Sequence, residues 1–279
     1  MSRCILSLIV CLIACYSLSA FAVTYKEISV PNSASTEVYG VNTAGYLVGD
    51  YSTSSGELRG FLLANGTFTD IVHPGSTFNI ATGINDSGTI SGYFVDASNV
   101  DHGFVYTSGT FTQIDYPGAT STLAMSINNA GVVVGFYWDA AGNSHGFTLA
   151  DGRFSSINGP GAIRTGVLGI NNSNTVVGYY VSPSFFINGF AKSAGGQLRT
   201  VDYRPNTETE VAGINDLDWM TGYYLTSSGD VGFVLNGGKF ESFSYPGAAS
   251  TLPNAINQGG VIVGTFTDST NRAHGFARY

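Results

Sequence analysis

PGATSTLAMSINNAGVVVGFYWDAAGNSHGFTLADGRFSSI, running from Pro117 to Ile157, decides the fold. Leu123 to Asn128 reads as a first strand, and Asn129-Ala130-Gly131 turns it into the β-branched and aromatic run Val132 to Trp138. Such residues suit a pleated, well-buried surface. A loop through Asp139 and Gly142 leads to a third strand, His145 to Leu149, and Asp151-Gly152 starts a fourth, Phe154 to Ile157, before the Pro160-Gly161 corner. Asp-Gly and Asn-Gly pairs favour the tight turns of hairpins, so neighbouring strands are expected to be antiparallel.

The rest of the chain varies this unit. Arg59-Gly60-Phe61, His102-Gly103-Phe104, His145-Gly146-Phe147, Asn188-Gly189-Phe190, Val231-Gly232-Phe233 and His274-Gly275-Phe276 place a glycine every 43 residues. A marker Asn recurs at Asn42, Asn85, Asn128, Asn171, Asn215 and Asn257 with steps of 43, 43, 43, 44 and 42. A fixed period of this length, with four strands per repeat, is the size of one propeller blade. The last repeat ends at Tyr279 after its third strand, whereas Thr24 to Pro31 matches the fourth strand of the repeats, as in Thr67 to Pro74. The N-terminal strand can thus complete the last blade and remove an open sheet edge. The chain is expected to be all-β: a six-bladed β-propeller of four-stranded antiparallel blades, closed by that strand.

The combination of His-Gly-Phe at 102–104, 145–147 and 274–276 with Gly-Ile-Asn, Val-Gly-Tyr-Tyr and Tyr-Pro-Gly-Ala resembles the bacterial extracellular repeat proteins named for a His-Ala-Phe (HAF) motif. The resemblance covers residues 23 to 279 and implies an exported repeat protein. It implies no activity and carries over no catalytic residue.

Residues 1 to 22 read as a signal peptide. Arg3 gives the positive start, Ile5 to Ala14 the apolar run, and Ala20-Phe21-Ala22 the cleavage signal. Residues 23 to 279 are expected to form one domain of 257 residues, close to six periods of 43. Export to the extracellular space or periplasm follows. Leu12 to Cys15 also resembles a lipobox, but the residues after Cys15 stay apolar where a lipid-anchored protein has a polar tether. Cys4, Cys11 and Cys15 all lie in the signal, so the domain has neither disulfides nor thiolate chemistry. Ten basic against nineteen acidic residues in the domain argue against a nucleic-acid partner, which needs a basic face. The apolar run is too short to span a bilayer, and no transmembrane segment is expected in the domain. A monomer is expected.

Most recurrent residues have a structural explanation. The six Phe are expected in the core, and the mid-strand glycines Gly49, Gly92, Gly135, Gly178, Gly222 and Gly264 where a neighbouring backbone comes close. The six Asn should bond their own turns, the alternative being a ring of amides lining the channel. Three loops pair an Asp with a His six residues on: Asp96 with His102, Asp139 with His145, and Asp268 with His274. One such pair per blade cannot converge on a single ion, and no sequence motif calls for a metal or cofactor.

The longer second-to-third loops and the inter-blade corners share one face, where binding residues are expected. Six residues before the marker Asn lie Thr36, Asn79, Thr122, Thr165, Thr209 and Thr251. Beside them the departures from Ser and Leu are Glu37, Phe78, Arg164, Glu208 and Glu210. Paired carboxylates with an arginine suit a polar ligand or acid–base work; a solvated rim with ion pairs is the plainer reading. Trp138, Phe185 and Phe186 are aromatic departures in the second-to-third loops, placed either to stack on a sugar or peptide or to pack on the next blade. The leading reading is a secreted non-catalytic binding protein for a glycan or another extracellular ligand, such as a protein, through this face. An extracellular hydrolase or lyase using Glu37, Glu208, Glu210 and Arg164, and a cell-surface interaction scaffold, are the alternatives.

Overall fold

The computed structural model describes residues 23–279, so residues 1 to 22, read as a signal peptide, and Cys15 among them lie outside the described residues. It contains 24 β-strands and no helix among those residues. The deciding repeat forms strands Ser121–Ile127, Val133–Trp138, Ser144–Ala150 and Arg153–Ile157, each antiparallel to the next. Six such units form a ring. Their first strands, Ser35–Val41, Phe78–Ile84, Ser121–Ile127, Arg164–Ile170, Thr209–Ile214 and Ser250–Ile256, pack against one another around the axis. The sixth blade takes Tyr25–Ile28 as its outer strand, antiparallel to Ala273–Arg278 from Tyr25↔Arg278 to Ile28↔Gly275. This is the expected six-bladed propeller, closed by the N-terminal strand.

Each feature of the period has a physical cause. Phe61, Phe104, Phe147, Phe190, Phe233 and Phe276 are fully buried, and each anchors one of six apolar clusters. Every first strand carries a register shift near its middle, as between Ala124 and Ser126. That bulge presses a carbonyl onto the second strand: a Cβ on Gly135 would lie 1.9 Å from the Leu123 oxygen. Asn65-Gly66 and Asp151-Gly152 turn with both residues at positive φ, the conformation of a two-residue hairpin loop.

The marker Asn does both things the sequence left open. Its Oδ1 accepts from its own turn, as from Ala130 and Val132 N–H onto Asn128. Its Nδ2 donates to the carbonyl of the next blade's Asn: Asn42 to Asn85, Asn85 to Asn128, Asn128 to Asn171, Asn171 to Asn215, Asn215 to Asn257, and Asn257 back to Asn42, all at 3.0–3.2 Å. The ring of amides exists, but it ties blade to blade. Six residues upstream, the side chains of Thr36, Asn79, Thr122, Thr165, Thr209 and Thr251 each accept a corner N–H at 2.8–3.1 Å. These corners therefore hold a fixed shape, which positions the loops beside them.

The sixth and first blades meet through contacts of their own. Asn254 Nδ2 donates to the Val38 carbonyl at 2.8 Å, and the Arg272 guanidinium donates to the carbonyls of Ala34 and Ser33, the latter at 2.9 Å.

Candidate functional site

Two concave features flank the ring. At the tight-turn end of the channel, a cavity of about 180 Å³ is lined by Tyr39, Met125, Leu168, Asn254 and every marker Asn except Asn215. On the long-loop face, a cleft of about 260 Å³ lies between His102 of the second blade and the corner Tyr116–Thr122.

The Asp–His pairs on that face are structural. Asp139 Oδ1 accepts from Ala141 and Asn143 N–H, and its Oδ2 meets His145 Nε2 at 3.0 Å. The His145 contact and the Asn143 N–H hold the Asp139 carboxyl down at about 2. Asp268 repeats the pattern with Thr270, Arg272 and His274. His102 Nδ1 lies 2.9 Å from Asp115, and its Nε2 lies 3.5 Å from Asp96. Burial pulls the His102 imidazole down, but Asp115 and Asp96 outweigh it and raise it overall. Each ring spends both nitrogens bracing its own blade.

The structure sorts the eight candidates into two groups. Glu37 and Phe78 belong to the first and second blades. The Tyr39 hydroxyl donates to Glu37 Oε2 at 2.8 Å, and Phe78 packs on Tyr93 with ring centroids 6.2 Å apart. Of the grouping Glu37, Glu208, Glu210 and Arg164, Glu37 stands on the first blade, two blades round the ring from Glu208 and Glu210 and three from Arg164.

The other six converge on the third to fifth blades. Arg164 opens its strand beside Ser144 of the third blade, the one point at which the two blades pair directly. From there its guanidinium carbon lies 5.4 Å over the Trp138 ring, within cation–π range. Two residues on, Gly166 leaves room for the Tyr179 ring: a Cβ there would lie 2.6 Å from it. Burial pushes the Tyr179 hydroxyl up to about 12, with the Glu210 charge adding and Arg164 opposing. Glu210 is pushed up to about 7, chiefly by burial, while the Tyr223 hydroxyl beside it partly opposes this. Glu208 Oε1 accepts from Ile187 N–H at 3.3 Å and so ties the fifth blade to the Phe185–Phe186 loop. The expected rim ion pairs are absent: among the described residues none joins Arg164 to Glu208 or Glu210.

Phe185 does not pack on the next blade. It is 74% exposed, at φ 62° in the turn closed by its N–H to the Ser182 carbonyl. Phe186 and Trp138 are half-buried. The fifth blade also lacks a long second-to-third loop: Met220–Thr226 passes to Gly229–Asn236 through Ser227 and Ser228 alone. Leu225 stands exposed there, its N–H on the Glu208 carbonyl at 3.0 Å. The result is a stretch of aromatic, cationic and acidic groups spanning two blade junctions.

Asp50, Tyr179 and Tyr223 escaped the sequence reading. All three follow the mid-strand glycine, a column reading Asp50, Tyr93, Phe136, Tyr179, Tyr223 and Thr265. Asp50 is the one acid in that column, the signal in the sequence that sets it apart.

Fold and site together define a six-bladed β-propeller with one asymmetric sector. No family model and no curated protein matches the chain. Solved propellers do. The SapL1 lectin, in complex with α-methyl fucoside, is similar over 88% of this chain and 93% of its own at 12% identity and a TM-score of 0.57. The six-bladed fungal lectin of Aleuria aurantia, described by its fucose recognition mode, is similar over 89% and 92% at 12% identity and 0.52. Regucalcin, a calcium-binding protein from Agrobacterium tumefaciens, is similar over 88% and 90% at 12% identity and 0.52. At these identities the likeness establishes the fold.

Proposed function

We propose that the protein is a non-catalytic carbohydrate-binding propeller whose site lies on the long-loop face, across the junctions of the third, fourth and fifth blades. The observation that carries this reading is the Arg164 guanidinium over the Trp138 ring, with exposed Phe185 one blade on. Sugars present an apolar face and a rim of hydroxyls, so an aromatic platform flanked by a guanidinium and carboxylates matches both. Fucose-binding lectins among the similar propellers support the class of ligand, not its identity. Export by way of residues 1 to 22, and kinship with the HAF-repeat proteins, are part of the same proposal.

A glycan and polysaccharide array tests it. Saturable binding by the wild type, weakened about tenfold or more in Trp138→Ala and Arg164→Ala, is the expected outcome. Binding unchanged in both variants would move the site elsewhere.

One observation favours a second reading, that of a hydrolase or lyase. Glu210, half-buried and raised to about 7, has the proton affinity of a general acid. Release of product from one array ligand by the wild type but not by Glu210→Gln would establish that reading in place of the first.

A further inference from the structure

The first blade holds a pair of acids that the propeller itself does not require. Glu37 and Asp50 are direct partners across the two inner strands, so their side chains leave the same face of the sheet. Asp50 is only 2% exposed, and its Oδ1 has no hydrogen-bond partner. Its column is filled elsewhere by Tyr93, Phe136, Tyr179, Tyr223 and Thr265, so no blade needs an acid there for packing. Around the pair stand Tyr39, whose hydroxyl donates to Glu37 Oε2, and Tyr93 of the next blade. Among the described residues, no lysine, arginine or histidine forms an ion pair with either acid. Tyr39 also lines the channel cavity.

A buried carboxylate facing another, with no counter-charge, is strongly unfavourable. Either a proton or a cation must neutralise the pair.

We propose that Glu37 and Asp50 hold a divalent cation, Ca²⁺ by preference, in the channel wall between the first and second blades. Two carboxylates balance its charge and offer hard oxygen ligands, including the orphaned Asp50 Oδ1. Phenolic oxygens and water from the channel complete a shell of irregular geometry. Ca²⁺ accepts such a shell, whereas Mg²⁺ demands a near-ideal octahedron and gives up water reluctantly. The site is separate from the Arg164–Trp138 sector, so it stands whether or not that sector binds a glycan.

The test uses the purified protein after chelation. Ca²⁺ should raise the thermal midpoint of the wild type, because it binds the folded state alone. Tb³⁺ in its place should give tyrosine-sensitised emission saturating at one equivalent. Asp50→Asn keeps the shape of the side chain and removes the uncompensated charge. It should therefore fold, with a metal-free midpoint no lower than that of the wild type, and lose both responses; Glu37→Gln should lose them too. A wild-type midpoint indifferent to Ca²⁺ would overturn the proposal and assign the pair a shared proton. Tb³⁺ emission that survives Asp50→Asn would overturn it as well, because the ion would then sit on other carboxylates.

Discussion

Asn215 shows how much one side chain carries. It is 1% exposed, accepts from Leu217 and Trp219 N–H through Oδ1, and donates through Nδ2 to the Asn257 carbonyl. Asn215→Asp keeps the acceptor and the shape but sets a carboxyl oxygen against that carbonyl. The expected cost is about 2–3 kcal/mol, as for a buried group left unsatisfied, read as a lower denaturant midpoint. Glu210 gives a prediction about pH. Its carboxyl binds a proton more tightly folded (about 7) than at its ordinary 4.5. Its stabilising contribution is therefore complete below about pH 4.5 and lost as the pH rises through 7. Glu210→Gln should remove on the order of 2–3 kcal/mol of that pH dependence. Denaturant curves of both proteins across this window measure it, and parallel pH profiles would contradict the assignment.

At the scale of the strand, a short closing element has the largest topological effect. Tyr25–Ile28 is four residues long, yet it covers the edge of Ala273–Arg278 and buries Ile28 in the cluster around Phe61. Removing residues 23 to 28 should leave Ala273–Arg278 as an open edge, a template for pairing with another chain. The expected result is association or precipitation by size-exclusion chromatography rather than a well-behaved monomer. The strands of the third repeat begin and end within a residue or two of the sequence expectation. Glycine and asparagine turns mark the boundaries in the sequence itself. The site was less legible. Phe185 reads equally well as core or surface, because a loop inside a period leaves no hydrophobic alternation to decide which way a ring points. Asp50 was hidden by its place in a strand where burial is the rule. Blade order also decides which acids are neighbours, and it puts Glu37 on the first blade and Glu210 on the fifth.

For the whole molecule, closure makes the blade count a matter of all or nothing. Every inner strand is wedged between two others, and the amide circuit returns to its start only through Asn257 and Asn42. Deleting residues 121 to 163, one period of 43, leaves five blades whose curvature was set for six. Loss of the compact closed ring, read as expansion or aggregation in light scattering, is expected. A stable monomeric five-bladed product would show that the inter-blade contacts are more elastic than the fixed corners imply.

Repeats built on one pattern raise a problem of address: a folding blade could dock beside any of its counterparts, or beside one in another molecule. The joint between the sixth and first blades answers it. Arg272 reaching Ser33 and Ala34, and Asn254 reaching Val38, couple residues more than two hundred positions apart. They act as a matched lock and key at the two ends of the array. The ring can thus identify its own last piece, and the chain stops counting at six.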